Sequence, residues 1–343
     1  MAASSPQFST AAQAQAGPQG PLGVAIVGAG SIGRLTRDVL AALDGVEVVD
    51  VIPGRAVSEE KLSRSDVDAV AVCSATGLHA EHARLAVAAG KHVVVEKPLT
   101  LDVEAGQRLL DSAASRGVSV SVISQRRYEP LVVATHAAIG SGSLGRPVLA
   151  ECLLRWRRDS AYFAASPWRG TEELDGGVLF NQGVHLIDLM RWLMGPVGTV
   201  SAHHATRVWD ITAPDTATAS LRFASGALGV VSATVASSSP SPAELNLHFE
   251  HGTIRLHDDR LVEWTVPDVP APQDDSAVGS GSQDPTAIGQ LGHRRQWEHI
   301  VSALRAGQQP DVAGIDALGT AALVAAMHAA AAQDGRPVSP AVP

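Results

Sequence analysis

The stretch that decides the fold is GVAIVGAGSIGRL, residues 23–35. An apolar run is followed by three glycines spaced as G-x-G-x-x-G (Gly28, Gly30 and Gly33), and a helical pattern begins at Ser31. Between a strand and a helix, the first glycine permits a tight turn, the second lets backbone approach a pyrophosphate, and the third lets the helix pack on the strand. The anion then binds N–H groups at the helix start. The sequence therefore predicts a dinucleotide site formed by Gly28, Gly30, Ser31, Ile32 and Gly33.

The order of elements changes near residue 145. Before it, short apolar runs alternate with helical patterns, which predicts a parallel sheet of the Rossmann type. After it, strands follow one another at hairpin spacing, which predicts an open, mainly antiparallel sheet with a helix packed on it. The predicted fold class is thus α/β plus α+β. We expect a disordered tail over 1–20, a dinucleotide-binding domain over 21–128, a substrate and oligomerisation domain over 129–290, and C-terminal helices over 291–343 that pack back on the first domain.

The predicted first domain is shortened. Only residues 53–66 separate the strand EVVDVI from the strand VDAVAVC, which leaves room for one short helix but not for a further strand and helix. We therefore expect the edge strand beside the adenine pocket to be missing. The second strand runs into Pro53-Gly54-Arg55, where an NAD enzyme places an acid, and Asp50 lies just short of that point. Either Arg55 receives a 2′-phosphate, which favours NADP over NAD, or it is a solvated loop charge.

A polar stripe marks the helical stretch GGVLFNQGVHLIDLMRWLMG, residues 176–195. Asn181, His185 and Asp188 recur at spacings of four and three, so on a helix they share one face, while apolar side chains take most of the circumference. This pattern predicts that the polar stripe faces a buried site. Gly183, which is unfavourable inside a helix, indicates a close approach of ligand or backbone there.

A second candidate motif is Glu96-Lys97-Pro98, at the end of the predicted strand HVVVE. It lies at the carboxyl edge of the sheet, where open α/β sheets bind ligands. Together with SATGLHAEHA, VISQRRYEP and the helical stretch above, it resembles the glucose-fructose oxidoreductase / inositol dehydrogenase (Gfo/Idh/MocA) family over about residues 22–338. The resemblance implies an NAD(P)-dependent oxidoreductase of sugars and cyclitols. It also implies that Lys97 and His185 are the catalytic pair, with Asn181 at a position that is Asp in some members.

Chemistry agrees with these implied roles. Oxidising a secondary alcohol requires a base for the hydroxyl proton while hydride leaves for the nicotinamide. We expect His185 to be that base and Lys97 to stabilise the developing alkoxide. Asn181, one turn before His185, orients substrate or imidazole but cannot supply the negative charge of an Asp.

Further candidates are weaker. Ser74, His79 and Glu96 are expected near the cofactor, with a simple helix-start residue as the competing interpretation of His79. Tyr162, Trp168 and Asp188 are candidate substrate contacts, with packing or local hydrogen bonding as the competing interpretation. Arg126, Arg127 and His293 are possible polar contacts. We expect no metal site, because the paired histidines of the later strands point to opposite faces.

Composition limits the partners. The 343 residues hold 26 Lys plus Arg against 35 Asp plus Glu, a formal net charge of -9, which argues against nucleic acid. We find no leader pattern and no run approaching a membrane span, so we expect a cytoplasmic protein that does not bind membranes. The resemblance implies a homodimer or homotetramer. The expected function is hydride transfer between NAD(P) and a sugar, sugar derivative or cyclitol; the alternatives are NAD-assisted elimination or glycosidic cleavage, and a sugar-binding or regulatory protein with weakened turnover.

Overall fold

The computed structural model describes residues 20–273 and 290–341 of the chain. Nearly all of the tail expected over 1–20, and the predicted domain border near residue 290, lie outside or at the edge of these ranges. Twelve strands form two sheets among the described residues. The chain order of the elements matches the predicted change from alternating strands and helices to consecutive strands.

The first sheet is parallel and five-stranded, in the order β2-β1-β3-β4-β5. Its strands are β1 (Leu22–Val27), β2 (Val46–Ile52), β3 (Ala69–Val72), β4 (His92–Val95) and β5 (Val120–Val122). Its helices are α1 (Ser31–Ala41), α2 (Glu59–Leu62), α3 (His79–Ala88) and α4 (Val103–Arg116). Between β2 and β3 lie only a 3₁₀ turn and the four-residue helix α2, so the predicted loss of an edge strand is confirmed.

Both faces of this sheet are covered. Along β1, Val24 and Ile26 point into an apolar cluster with α1, whereas Ala25 and Val27 point into a second cluster with α3 and α4. A strand buried on both faces has no polar alternation, which is why its sequence is a continuous apolar run.

The register of the strands explains where a site can form. Val27, Ile52, Val72, Val95 and Val122 stand side by side at the carboxyl ends of the five strands. The residues that follow each strand therefore meet at one edge of the sheet, the edge at which open α/β sheets bind ligands.

The second sheet is seven-stranded, in the order β12-β11-β10-β6-β9-β8-β7. Its pairs are antiparallel except β6 with β9, which run parallel. Its strands are β6 (Pro147–Arg155), β7 (Val197–Ala205), β8 (Thr216–Phe223), β9 (Leu228–Thr234), β10 (Glu244–Phe249), β11 (Thr253–His257) and β12 (Arg260–Trp264). Helices α5 (Pro130–Gly140), α6 (Ser160–Ala164) and α7 (Val184–Met194) accompany it. The predicted fold class is confirmed.

The two C-terminal helices, α8 (Gln290–Arg305) and α9 (Gly314–Ala332), have different locations. Helix α8 packs on α1, and its Trp297 is buried in the core of the first sheet. Helix α9, which we expected on the first domain, places Ala317 and Leu318 there but sends most of its buried side chains into the core of the second sheet. Its small alanines allow elements to pack closely on several sides, so it bridges the two cores.

Helix α9 also corrects the expectation that no segment approaches a membrane span. Gly314–Ala332 is long and apolar enough to cross a membrane by length and composition. However, 56% of its apolar window is buried inside the protein, which is the environment of a core helix in a folded domain.

Candidate active site

The glycine loop has the geometry that a dinucleotide requires. Gly28 has a φ of +118°, and a side chain there would meet the Cys73 carbonyl oxygen at 2.4 Å. A side chain at Gly33 would meet the Gly28 carbonyl oxygen at 1.8 Å, so this glycine lets α1 pack closely. At Gly30 no atom lies within 4 Å of an added Cβ. No side chain caps the start of α1 at Gly30, so its first N–H groups face open space. These residues fit a bound pyrophosphate.

A cavity of about 460 Å³ extends from this loop to the second domain. It is lined by most of the predicted site residues: Gly28, Gly30, Ser31, Ile32, Ser74, His79, Glu96, Lys97, Tyr162, Trp168, Asn181 and His185, together with Arg126 and His293. The structure therefore brings together residues that are distant in sequence.

Four predicted site residues do not line this cavity: Gly33, Arg55, Asp188 and Arg127. Gly33 is buried behind the loop. Arg55 is exposed in the 3₁₀ turn Gly54–Ala56, of which only Gly54 lines the cavity. Asp188 borders a separate void of about 20 Å³ and accepts two hydrogen bonds from the Arg127 guanidinium, at 2.8 and 2.5 Å.

Lys97 follows strand β4 and reaches across to the second domain. Its Nζ donates a hydrogen bond of 2.9 Å to the main-chain carbonyl oxygen of Asn181. Burial lowers the pKa of the Lys97 ammonium, while the carboxylates of Glu96 and Asp175 act in the opposite direction. The Lys97–Pro98 peptide is cis.

The residues before α7 are wound more widely than an α-helix. Leu179–Gly183 form a π-helical turn, and α7 continues from Val184. Such turns are rare and occur frequently at functional sites. Here the turn carries Asn181, whose side-chain amide lies on the cavity and whose carbonyl oxygen accepts from Lys97.

Asp175 fixes the Asn181 side chain. The Asn181 amide Nδ2 donates to Asp175 Oδ1 at 2.7 Å, and the Gly170 main-chain N–H donates to Asp175 Oδ2 at 2.6 Å. Burial raises the pKa of Asp175, and these two hydrogen bonds act against that rise. Sequence reasoning missed Asp175, although its place directly before Gly176 and Gly177, both with positive φ, marks an irregular turn beside the polar stripe.

His185 lies on the cavity one turn beyond Asn181. Burial lowers the pKa of its imidazole well below the usual value, and the charges of Lys97 and Arg126 lower it further. Within residues 20–273 and 290–341, no group forms a hydrogen bond with its ring nitrogens. His185 is therefore a neutral imidazole at neutral pH and can accept a proton.

A buried carboxylate lies behind Lys97. Glu96 is 6% exposed, its Oε2 accepts from the Lys97 main-chain N–H at 3.3 Å, and its Oε1 lies 3.7 Å from His293 Nε2. Burial raises the pKa of Glu96, but His293, Lys97 and His79 outweigh this and hold it below its usual range. Glu96 therefore stays ionised and places a negative charge beside Lys97.

His79 connects two loops of the sheet edge. Its Nδ1 lies 2.8 Å from the Pro98 carbonyl oxygen, and its Nε2 lies 3.1 Å from the Ser74 carbonyl oxygen. Burial lowers the pKa of His79. This side chain is 2% exposed, so its contacts fix the position of the loop that carries Lys97.

The end of the cavity in the second domain is aromatic and cationic. The Tyr162 hydroxyl accepts from Gln182 at 3.2 Å, and the Arg169 guanidinium lies 4.2 Å from the centre of the Tyr162 ring. The Arg158 guanidinium lies 5.3 Å from the same ring and 5.1 Å from that of Trp156. The two arginines, Gln182 and Trp156 were not predicted. Trp156 and Arg158 lie in the segment RWRRDSAY, which only the fold brings to the cavity, whereas Arg169 and Gln182 directly follow the predicted residues Trp168 and Asn181.

No group of three or more His, Cys, Asp or Glu side chains in the described part of the chain is arranged to hold a metal ion. Both cysteines, Cys73 and Cys152, are buried free thiols.

Two family models match the chain. Residues 56–124 match the oxidoreductase family with an NAD-binding Rossmann fold, and residues 132–255 match the GFO/IDH/MocA C-terminal domain. Together they cover more than half of the chain, on both sides of the cavity.

Individual relatives agree with these models. Inositol 2-dehydrogenase 3 of Saccharopolyspora erythraea is 33% identical over 190 residues, 51% of this chain and 53% of that protein, so the chain spans about half of its length. D-apiose dehydrogenase of Paraburkholderia graminis is 26% identical over 92% of this chain and 88% of that protein.

A solved structure is also similar over nearly the whole chain. The WlbA dehydrogenase from Bordetella pertussis, in complex with NADH and UDP-GlcNAcA, superposes with a TM-score of 0.84 at 28% identity, covering 94% of this chain and 98% of that one.

Proposed function

The chain belongs to the Gfo/Idh/MocA family of oxidoreductases, and we propose that it transfers hydride between a nicotinamide cofactor and a secondary alcohol or ketone. The alcohol or ketone belongs to a sugar, sugar derivative or cyclitol, in keeping with a dehydrogenase or reductase that acts on CH-OH groups. One observation carries the proposal. Lys97, Asn181 and His185 line the same cavity as the open glycine Gly30. The groups for proton transfer therefore share one space with the predicted pyrophosphate site.

The chain's residues would hold the cofactor at the carboxyl edge of the first sheet. The N–H groups at the start of α1, beside Gly30, would bind the pyrophosphate, and Ser74 and Glu96 line the path towards Lys97. When bound, the nicotinamide accepts or returns the hydride. No described carboxylate directly follows β2, and Asp50 is paired with Arg64 at 3.0 Å, which supports use of NADP through Arg55.

The protein's part in the chemistry is proton transfer and charge stabilisation. His185, neutral at neutral pH, accepts the hydroxyl proton of the alcohol during oxidation and returns it during reduction. The Lys97 ammonium, fixed by the Asn181 carbonyl oxygen, stabilises the alkoxide that develops on the same substrate oxygen. Asn181, oriented by Asp175, presents its side-chain oxygen for positioning.

The substrate class is supported by the names of the relatives. An inositol dehydrogenase and an apiose dehydrogenase act on polyhydroxylated compounds, and the WlbA structure holds a nucleotide sugar with NADH. The rings of Tyr162 and Trp168 on the cavity wall suit the apolar face of a sugar.

We also propose a cytoplasmic homodimer or homotetramer that associates through the outer face of the second sheet. Leu149 and Leu228 lie side by side in the register of β6 and β9, and Leu228 is 52% exposed. The mass in light scattering tests this association, and a monomeric mass would contradict it.

A glycine pair tests cofactor binding. Gly30→Ala adds a methyl group where no atom lies within 4 Å, so the fold should tolerate it, but the methyl would occupy the approach of the pyrophosphate. Gly140→Ala is the matched control, since Gly140 also has open space around its Cβ position and lies at the end of α5, away from the cavity.

We expect the wild-type protein and Gly140→Ala to bind NADH or NADPH in a nicotinamide fluorescence titration, and Gly30→Ala to bind at least about tenfold more weakly. Equal affinity of all three proteins would contradict the proposed site. Binding of saccharides without any cofactor binding would instead indicate a sugar-binding protein that has lost turnover, and product formation without net NAD(P)H would indicate NAD-assisted elimination or cleavage.

A further inference from the structure

Two neutral polar side chains at the second-domain end of the cavity are hydrogen-bonded to each other. Gln182, which follows Asn181 in the π-helical turn, is 7% exposed and donates through Nε2 to the Tyr162 hydroxyl oxygen at 3.2 Å. Both side chains line the cavity. Among the residues that the structure describes, neither side chain forms another hydrogen bond, so Gln182 Oε1 lacks a donor and the Tyr162 hydroxyl proton lacks an acceptor.

The Tyr162 side chain is held in place by its neighbours. Its ring meets the Phe163 ring edge to face, with the ring centres 5.2 Å apart, and the Arg169 guanidinium lies 4.2 Å from the centre of the Tyr162 ring. Arg169 also donates through Nη1 to the Tyr162 main-chain carbonyl oxygen at 2.9 Å. Burial raises the pKa of the Tyr162 hydroxyl, so this group keeps its proton and remains a hydrogen-bond donor.

Together the two side chains present one donor and one acceptor. The Tyr162 O–H donates and Gln182 Oε1 accepts; turning the amide over exchanges these roles and still leaves one of each. When a ligand fills the cavity and excludes water, a polar atom left without a partner is unfavourable. An alcohol hydroxyl satisfies both side chains because it donates and accepts, whereas a carbonyl or carboxylate oxygen only accepts and an ammonium group only donates.

We infer that Tyr162 and Gln182 bind a second hydroxyl of the substrate, distinct from the hydroxyl that reacts beside His185, and thereby select compounds that carry it. The inference rests on the proposed function, because it assigns the specificity of the same site. Gln182 directly follows Asn181, whose carbonyl oxygen accepts from Lys97, so one π turn positions both the proposed catalytic lysine and the proposed specificity residue. A substrate without the second hydroxyl would leave both side chains unpaired, and such sites discriminate strongly against the analogue that lacks the group.

The experiment begins with the wild-type protein and NAD(P). Of glucose, xylose and myo-inositol, the compound oxidised with the highest kcat/KM is taken as the parent, and each of its monodeoxy analogues is compared with it. Removing the reacting hydroxyl abolishes oxidation. We expect the removal of one further hydroxyl to lower kcat/KM by about 10- to 100-fold, because two hydrogen bonds are lost and their protein partners are left unpaired.

Variants assign that hydroxyl to the two side chains. Tyr162→Phe removes the phenolic hydroxyl, and Gln182→Met removes the amide while keeping a side chain of similar length. Each should lower kcat/KM for the parent by about tenfold or more, but by less than about threefold for the analogue that lacks the recognised hydroxyl. The matched control is Tyr128→Phe, since Tyr128 is the other tyrosine of the chain and does not line the cavity, and it should change neither value.

A merely structural role of the two side chains would lower kcat/KM for the parent and for every analogue by the same factor. That result would overturn the inference and leave the proposed function intact. So would a wild-type protein that oxidises the parent but loses less than about threefold with every analogue that retains the reacting hydroxyl. Absence of NAD(P)-dependent oxidation of all three compounds would instead contradict the proposed function, and the inference with it.

Discussion

The ammonium of Lys97 and the main-chain carbonyl oxygen of Asn181 form a hydrogen bond of 2.9 Å between the end of a strand in the first domain and a π-helical turn in the second. This bond fixes the lysine beside His185 without using the Asn181 side chain, which Asp175 orients independently. The proposed catalytic groups therefore come together only when both domains are folded against each other.

The first prediction concerns the pH profile of alcohol oxidation. Burial lowers the pKa of His185 below its usual value near 6.5, so kcat/KM should fall with acid only below about pH 6.5, where the imidazole becomes protonated. Burial also lowers the pKa of Lys97 below the usual lysine value of about 10.4. The alkaline decrease in activity should therefore begin at a pH below that value. Steady-state rates between pH 5 and 10 test this, and an acid limb centred above about 7 would contradict the role of His185.

The second prediction concerns the choice between NADP and NAD. Arg55 is exposed beside the cavity-lining Gly54, and Asp50 is engaged by Arg64, so the chain should bind NADPH at least as tightly as NADH. Arg55→Gln should weaken NADPH binding by about tenfold and leave NADH binding nearly unchanged, because it removes a charge-assisted contact to the 2′-phosphate. Fluorescence titration of both proteins tests this. Tighter binding of NADH by the wild-type protein would contradict it.

The third prediction separates a structural from a substrate-binding role for Asp188. This side chain is 7% exposed, pairs with Arg127 and accepts from Thr320 at 2.8 Å. Asp188→Ala should therefore lower the free energy of unfolding by about 3 kcal/mol, because it leaves a buried charge less well compensated.

The control for Asp188 is Asp38→Ala, which removes an exposed ion pair with Arg37 and should change stability by no more than about 0.5 kcal/mol. Denaturant unfolding of both variants measures this difference. A loss of kcat/KM in Asp188→Ala without a loss of stability would assign Asp188 to the substrate instead.

The fourth prediction concerns acid stability. His328 of α9 is stacked on Phe180, and the centre of its ring lies 4.8 Å from that of His204. Burial lowers the pKa of His328 to about 4, and the charge of His204 contributes. The unfolded chain protonates this histidine near about pH 6.5, whereas the folded chain protonates it only near about pH 4. The free energy of unfolding is therefore highest above this pH range and falls by up to about 3 kcal/mol as the pH decreases through it.

His328→Leu should flatten this part of the curve of unfolding free energy against pH. His203→Leu is the control for the substitution itself, because His203 is an exposed histidine on the same strand as His204. Urea unfolding at several pH values between 4 and 7 measures the slopes. An unchanged slope in His328→Leu would show that the proton is taken up elsewhere.

Much of the fold could be predicted from the sequence because its signals are local. The glycine loop after β1, the short interval after β2 and the hairpin spacing after residue 145 depend on neighbouring residues, and the structure agrees with each. Helix α9 was misjudged because its alanines give no strongly amphipathic pattern that would indicate which core it joins.

The site was harder to predict where it depends on distant contacts. The helical stripe grouped Asp188 with His185, but Asp188 forms an ion pair with Arg127, a distant residue for which the sequence has no local signal. Arg169 lines the cavity and Asp175 holds the Asn181 side chain only because of how the loop before the π turn Leu179–Gly183 is folded, so spacing alone could not identify them.

The most direct test of the account is single-turnover oxidation of the preferred saccharide by His185→Ala and Lys97→Ala, followed by nicotinamide absorbance, with cofactor affinity measured on the same samples. We predict unchanged cofactor binding and a rate lowered by about 100-fold or more in each variant. A near-wild-type rate in either variant would contradict the account and remove that residue from the proton chemistry.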